Sequence, residues 1–208
     1  MIAVPSVPVS VPTHAPESDP PSIPNVSNEE HDFLCDFIRK TTVSEIFATW
    51  KCENHVPATN PCGSATATSW PGVTCNQDAS IIELSFVGFA NGTTGRIKGK
   101  LPDSIGNLHH LVILVLEKQN MYGRLPNQLC DLTSLQLLNL QRNYFHGYIP
   151  KELGYLKQLK NVNLAHNRLI GRIPSSFQNL YRRRSKIRLH SNFLMGMKGF
   201  EKYLDQQQ

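Results

Sequence analysis

The stretch that decides the fold is residues 108–179, which read LHHLVILVLEKQNMYGRLPNQLCD, LTSLQLLNLQRNYFHGYIPKELGY and LKQLKNVNLAHNRLIGRIPSSFQN in three gapless blocks of 24 residues. The blocks share the pattern LxxLxxLxLxxNxLxGxIPxxLxx. A single block of this size cannot bury its apolar face alone. Stacked copies form one continuous core in which each contacts its neighbours, so the repeat predicts a solenoid.

Each block contains one strand signal. Two apolar positions alternate with their neighbours, and a period of two places both side chains on one face of a strand. These inward positions are Leu114 and Leu116, Leu138 and Leu140, and Val162 and Leu164. Asn143 and Asn167 follow them and are expected to hydrogen-bond the turn backbone in a stacked column. Gln119 takes this place in the first block, where we expect a weaker or shifted column.

Glycine and proline separate the strand from the return of the chain. The turn glycines are Gly123, Gly147 and Gly171, and the prolines after them are Pro126, Pro150 and Pro174. Proline disfavours a long helix, so the outer side is predicted to be short and irregular. The pattern continues in a less regular form at residues 82–86 and 187–192. We therefore predict four to five repeats over residues 80–198, with an insertion at residues 87–96.

The two ends of the chain differ from the repeats. Seven of the fourteen prolines fall in residues 1–24, so residues 1–27 are predicted to be a disordered, proline-rich tail and residues 199–208 a C-terminal tail. No basic residue precedes the apolar stretch at 1–11, so no signal peptide is visible. No segment approaches the ~18 apolar residues of a membrane span. Either the sequence is truncated upstream or the protein stays inside the cell.

The net charge of +5 is mildly basic. It suits an acidic partner, such as a pectic polysaccharide or an acidic protein face. Much of the excess lies in the run from Arg182 to Arg188, which is either a solvated edge of a degenerate last repeat or a polyanion-binding edge. This run lacks the interleaved aromatic residues that single-stranded nucleic acid needs, so no nucleic-acid partner is expected.

The segment at 28–79 carries a second set of motifs. A helix is predicted from Asn28 to Trp50, capped by Ser27 or Asn28, and the sequence WPGVTC follows at residues 70–75. With the GxIP repeats, this segment resembles the plant-specific class of leucine-rich repeats found in receptor-like kinases, receptor-like proteins and polygalacturonase-inhibiting proteins. The resemblance implies an α/β solenoid: a right-handed leucine-rich-repeat superhelix with a parallel concave β-sheet and a helical, disulfide-bonded N-terminal cap.

The five cysteines cluster towards the N-terminus. The resemblance implies the pairs Cys35–Cys52 and Cys62–Cys75, and such bonds require an oxidising compartment. Reduced buried thiols are the alternative, and a zinc site is disfavoured because no C-x2-C spacing exists. Cys130 is expected to be a free, half-buried thiol. No metal and no cofactor are expected. Asn91-Gly92-Thr93 is a glycosylation sequon, which is meaningful only if the chain is secreted.

A ligand is expected on the concave face of the strands. Period two places the residues between the core positions there, and a slip of one residue would overturn the set. The candidate binding residues are Val115, Glu117, Lys118, Asn139, Gln141, Arg142, Asn161, Asn163, His166, Arg188 and His190. This mixture of apolar, amide and basic groups suits a protein or peptide ligand.

The histidines lie at no motif distance from a serine, cysteine or carboxylate, so we predict a binding protein and no enzyme. The resemblance implies receptor-like recognition or signalling in defence or development, with a protein or peptide ligand and, as a further expected partner, a co-receptor. The alternatives are a secreted inhibitor of a cell-wall-degrading enzyme, and a scaffold module or fragment of a larger receptor kinase. The location implied is extracellular or cell-surface-associated, with the cytoplasm as the alternative.

Overall fold

The computed structural model describes residues 26–53, 56–57, 59–63, 69–87 and 95–196. Within these residues the chain forms a cap followed by a solenoid of five rungs. The predicted tails at 1–27 and 199–208 lie almost wholly outside the described residues, as does the sequon at Asn91. No helix among the described residues is long and apolar enough to span a membrane.

The cap begins with helix α1 (Asn28–Lys40) and helix α2 (Val43–Ile46). Ser27 is the N-cap residue: its hydroxyl oxygen accepts the Glu30 N–H, and the Glu30 carboxylate accepts the Ser27 N–H at 3.1 Å. Both partners of a capping box are therefore present. Asn28, the other candidate for the cap, is instead the first helical residue.

The predicted helix from Asn28 to Trp50 is interrupted at Thr41. The Thr41 backbone is extended and forms an antiparallel bridge with Gly99, while the Thr42 N–H donates to the carbonyl of Lys98 at 2.9 Å. The apolar periodicity continues beyond this break because the residues after it still face the core. Trp50 is fully buried and lies 4.8 Å from Trp70, measured between ring centroids.

Short strands and two disulfides complete the cap. Strands β1 (Cys52–Glu53) and β2 (Val56–Pro57) pair antiparallel, and β3 (Val73–Cys75) pairs antiparallel with the first strand of the solenoid. The bonds Cys35–Cys52 and Cys62–Cys75 are both present, which confirms the predicted pairing. They close segments with sequence separations of 17 and 13 residues around a cap with a small apolar core.

The first sheet of the solenoid, sheet A, is the one predicted for the concave side. Its parallel strands are β4 (Ile81–Val87), β6 (Ile113–Glu117), β8 (Leu137–Asn139), β10 (Asn161–Asn163) and β12 (Lys186–Arg188), and β3 forms its antiparallel edge. All six predicted inward side chains of the three regular blocks are fully buried. The strand and core predictions are therefore confirmed.

A second parallel sheet, sheet B, was not predicted. Its strands are β5 (Lys98–Lys100), β7 (Asn120–Arg124), β9 (Tyr144–Gly147), β11 (Arg168–Arg172) and β13 (Phe193–Met195). The return on the outer side consists of three 3-10 helices, Asp103–Asn107, Asn127–Asp131 and Lys151–Tyr155, and of helix α3 (Phe177–Arg182). Each follows within a few residues of a repeat proline, so the prediction of short outer elements is confirmed.

A column of buried amides joins the rungs. The Asn143 amide donates to the carbonyl of Leu116 at 2.6 Å, and its oxygen accepts the N–H of Met121 at 3.0 Å. Asn167 and Asn192 repeat this arrangement in the next two rungs. Gln119 takes the corresponding place in the first block, but its contact with the Phe86 carbonyl is long, at 3.5 Å. The predicted column and its weak first member are both confirmed.

Candidate ligand-binding surface

The open face of sheet A brings most of the predicted binding residues into register. Val115 pairs with Asn139, Asn139 with Asn163, and Asn163 with Arg188, so these four positions form one row across four strands. Within the row, Val115 is only 9% and Asn163 only 5% exposed. Neighbouring side chains cover these two positions, so they offer little surface to a ligand.

Hydrogen bonds between side chains fix the centre of this face. Asn139 Nδ2 donates to Glu117 Oε2 at 2.9 Å, and Asn163 Nδ2 donates to Gln141 Oε1 at 2.7 Å. Lys118 Nζ lies 3.4 Å from Glu117 Oε1. These contacts hold the side chains in defined positions. A ligand therefore meets an ordered set of polar groups and orders few side chains when it binds.

Glu117 is held in its charged form. Partial burial acts to raise its pKa, but hydrogen bonds from Gln141, Asn139 and Lys118, with the attraction of the Lys118 ammonium, together lower the pKa below its ordinary value. The carboxylate is therefore a fixed acceptor in the middle of this face.

A basic rim borders the open face where the strands of sheet A end, and it consists of Lys118, Arg142, His166 and Ser191. All four residues have a positive φ, between 54° and 56°. Residues other than glycine adopt this left-handed conformation uncommonly, and its recurrence in four successive rungs shows that the repeat imposes it. The residue after each is the amide of the buried column, whose hydrogen bonds hold the turn.

The rim forms a shallow depression of about 400 Å³. Its lining residues are Arg96, Lys118, Arg142, Asn143, Tyr144 and His166. The lining contains three side chains that are always or nearly always cationic and no carboxylate. Such a depression favours an anionic group of a ligand over a cationic one.

Two predicted histidines meet at the C-terminal part of the rim. The rings of His166 and His190 lie edge to face, with centroids 4.9 Å apart. Slight burial is the largest cause that lowers the pKa of His166, and repulsion from His190 and Arg142 lowers this pKa further. His166 is therefore mainly neutral near neutral pH and becomes cationic only in more acidic solution.

Comparisons with known proteins agree with this architecture. The Leucine Rich Repeat family model matches residues 134–156 and 158–180. The BIR2 ectodomain from Arabidopsis thaliana superposes with a TM-score of 0.65 at 26% sequence identity, over 83% of this chain and 83% of that chain. A chain of the BIR3–SERK2 complex from the same plant gives 0.63 at 27% identity, over 77% of this chain and 80% of that chain. The chain has leucine-rich repeats and is similar to plant leucine-rich-repeat ectodomains.

A structure of PEPR1–AtPEP1 is also similar to the leucine-rich-repeat protein, with a TM-score of 0.66 at 29% identity. That match covers 81% of this chain and 22% of that chain, so the leucine-rich-repeat protein spans about a fifth of PEPR1. No curated protein matches the sequence.

The residues of the basic run from Arg182 to Arg188 do not lie together on one surface of the leucine-rich-repeat protein. Arg183 donates to the Leu156 carbonyl at 2.9 Å, and Ile187 is buried. Arg188 pairs in register with Asn163 and therefore belongs to the open face of sheet A. The run does not form one continuous edge, so a polyanion could engage only part of it.

Three further predictions concern Asn161, Cys130 and metal binding. Asn161 lies on the face, but its buried Oδ1 has no hydrogen-bond partner among the described residues. Cys130 is a free, half-buried thiol, as predicted, and burial together with Glu152 and Asp131 raises its pKa to about 12. No group of three or more potential metal ligands occurs among the described residues.

Sequence reasoning missed the exposed surface of sheet B. Its strands contain the alternations KGK, NMYGR and RLIGR, in which polar side chains flank a buried residue or a glycine. This alternation was a usable signal. It was overlooked because glycine in a short segment suggests a turn more strongly than a strand.

Proposed function

We propose that the leucine-rich-repeat protein binds a peptide or an extended protein segment across the open face of sheet A and acts in receptor-like recognition. The carrying observation is the hydrogen-bonded set formed by Glu117, Asn139, Gln141 and Asn163. Fixed amide and carboxylate groups offer donors and acceptors at a spacing set by the strands, about 4.8 Å. An extended peptide backbone carries N–H and C=O groups that can pair with such donors and acceptors.

The charges on this face support a defined orientation of the ligand. Glu83 lies in the first strand of the sheet, whereas Lys186 and Arg188 lie in the last. Arg142 and Lys118 add positive charge along the rim. A segment with its acidic end over the last strands would be favoured, and the reverse orientation would be disfavoured.

The comparisons support the same proposal. Two similar chains, each with 80% or more of its own length covered, come from the BIR2 ectodomain structure and from a BIR3–SERK2 complex. We infer a comparable role here, with a peptide ligand or a co-receptor as the partner.

We also propose an extracellular or cell-surface location. Two disulfides in the cap are the supporting observation, because such bonds persist in oxidising compartments. Mass spectrometry of the protein from its own tissue, with and without reduction, tests this. Two intact disulfides and a glycan on Asn91 are expected. Free cap thiols would contradict the proposal.

Binding is tested with a phage-displayed library of random linear peptides panned on the purified protein. Selected sequences are synthesised and titrated by calorimetry against wild type, Gln141→Ala and Arg188→Ala. We expect each substitution to weaken binding about tenfold, the effect of roughly 1.4 kcal/mol. Lys157→Ala, at an exposed position of the outer side, is the matched control and should bind as wild type. Peptides that bind all four proteins equally would contradict the proposal.

A further inference from the structure

The outward side chains of sheet B form a second exposed surface, which we call the B face. Alternation along each strand exposes every second residue, and all five strands follow this rule. The cationic members are Lys98, Lys100, Arg124, Arg168 and Arg172, all exposed. The five strands contain no Asp or Glu, and the acidic side chain at the margin is Asp103. This face is therefore strongly basic. In each rung, its strand follows the strand of sheet A along the chain, after the turn that ends that strand.

Two of these cationic side chains, Lys100 and Arg124, pack against the turn glycines of the next rung. A Cβ on Gly123 would lie 3.2 Å from Lys100 Cγ, and a Cβ on Gly147 would lie 3.2 Å from Arg124 Cγ. At Gly171 the same position would lie 2.5 Å from the ring of Tyr148. The long side chain of one rung thus lies across the glycine of the next. The stems are supported, so a partner that binds the charged ends orders fewer rotatable bonds.

A second contact orders the centre of the B face. The Arg168 guanidinium carbon lies 4.9 Å above the centroid of the Tyr144 ring, a cation–π geometry. Next to it, Lys100, Tyr122, Arg124 and His146 line an open groove of about 710 Å³. The charged residues of its lining are Lys40, Lys100, Arg124 and Asp103, so cations outnumber the single carboxylate.

The apolar members of the B face decide the kind of partner. Tyr122 and Tyr144 are 40% and 44% exposed, and Ile170 is 42% exposed. On the last strand, Phe193 is 70% and Met195 is 58% exposed, and Phe193 pairs in register with Ile170. Tyr, Phe, Met and Arg are enriched at protein interfaces, where acidic side chains are depleted. A uronate polysaccharide exposes mainly hydroxyl and carboxylate groups, so it covers Ile170, Phe193 and Met195 less well than the apolar side chains of a protein segment do.

We propose that the B face is a second docking surface, and that its occupant is an acidic segment of another protein with apolar side chains between its carboxylates. The carboxylates would meet Lys100, Arg124 and Arg172, which occupy the same position after the turn glycine in three of the repeats. The apolar side chains would cover Ile170, Phe193 and Met195. The B face and the open face of sheet A belong to different sheets and meet at Tyr144, which also lines the rim depression. A sheet A ligand that stays clear of Tyr144 and a protein on the B face could be bound together.

The test uses a synthetic peptide of alternating Glu and Leu as the probe, titrated by fluorescence anisotropy. An oligouronate of equal charge is the second probe. The charge-reversal variant combines Lys100→Glu, Arg124→Glu and Arg172→Glu. The matched control combines Lys118→Glu, Arg142→Glu and Lys186→Glu, which changes the net charge equally at sheet A. Circular dichroism and thermal melting verify that each variant is folded. A second pair of triple variants, with Gln in place of Glu at the same positions, removes the positive charges without reversing them.

We expect the B-face variant to weaken peptide binding at least about tenfold and the sheet A control to weaken it about twofold at most. Phe193→Ser should weaken the peptide about tenfold, because an exposed aromatic anchor is lost. The oligouronate should bind more weakly than the peptide and should not respond to Phe193→Ser.

Four outcomes would overturn the proposal. The first is the absence of peptide binding, and the second is an equal loss of peptide binding in both triple variants. The third is tighter binding of the oligouronate than of the peptide, which would assign the B face to a polysaccharide. The fourth is self-association of the probe-free chain in sedimentation that the B-face variant abolishes, which would assign the face to a second copy. Since none of these measurements uses a sheet A ligand, their failure leaves the proposed function untouched.

Discussion

Oε1 of Glu30 accepts a hydrogen bond from the backbone N–H of Ile81 at 2.8 Å, across 51 residues of sequence. The same carboxylate closes the capping box with Ser27 through its other oxygen. Glu30 is only 3% exposed. One buried side chain therefore caps the first helix and ties it to the first strand of the solenoid, which couples cap and repeats into one folding unit.

Glu30→Gln is expected to lower the free energy of unfolding by about 2 kcal/mol, since a hydrogen bond from a buried N–H to a charged acceptor contributes roughly 1.5–3 kcal/mol. The amide group of Gln cannot accept from Ser27 and Ile81 as two carboxylate oxygens do. Urea denaturation followed by circular dichroism measures the change. Glu29→Gln, one residue earlier and largely exposed, should change stability by less than about 0.5 kcal/mol. Equal effects at the two positions would refute the coupling.

Asn143→Ala is expected to cost about 3 kcal/mol, because it leaves the Leu116 carbonyl and the Met121 N–H buried without partners. The measurement is the urea midpoint at constant slope. Asn161→Ala removes the same side chain from a strand position where its oxygen has no partner. That control should be close to neutral, and a loss as large as that at Asn143 would show that the buried column is not the cause.

Cys130 is expected to be nearly inert in the native protein. Its pKa rises from 9.0 to about 12, so its thiolate population at about pH 8 is roughly a thousandfold below that of an ordinary thiol. Alkylation by iodoacetamide, followed by intact-mass spectrometry, should be slow for the native chain and fast in urea. Cys130→Ser should abolish labelling in both states. Native labelling at the rate seen in urea would contradict the burial of this thiol.

His31 should make stability rise with pH through the weakly acidic range. Burial lowers its pKa from 6.5, although Glu30 and Asp32 act to raise it. The unfolded chain therefore binds a proton more readily than the folded chain, and stability falls as pH drops through about 6.5. Urea midpoints at about pH 5 and about pH 8 should differ less in His31→Leu than in wild type. His110→Leu, at an exposed turn, should keep the wild-type difference.

The parts of the fold set by repetition could be predicted from the sequence. Each inward leucine occupies the same position in every block, so the pattern reports its environment several times. The break at Thr41 could not be predicted, because it depends on pairing with Gly99, in the second sheet. Helix periodicity reports which residues face the core, and it does not report where a distant strand replaces a helical hydrogen bond.

The candidate site was predicted in position but not in accessibility. Period two correctly places Val115 and Asn163 on the open face of sheet A. Their burial results from the side chains of adjacent rungs, such as Gln141 beside Asn163, and a single block contains no information about these neighbours. The B face was missed because a glycine within such a short segment suggests a turn more strongly than a strand.

The amide column gives the solenoid a mechanical direction. Asn143, Asn167 and Asn192 each satisfy backbone groups of the rung before their own, at Leu116, Leu140 and Leu164. Peeling the chain away from its C-terminal side would strip each remaining rung of the amide that completes it. Peeling from the N-terminal side would leave the next rung's own turn satisfied. Unravelling under load should therefore proceed more easily from the C-terminal side, one rung at a time.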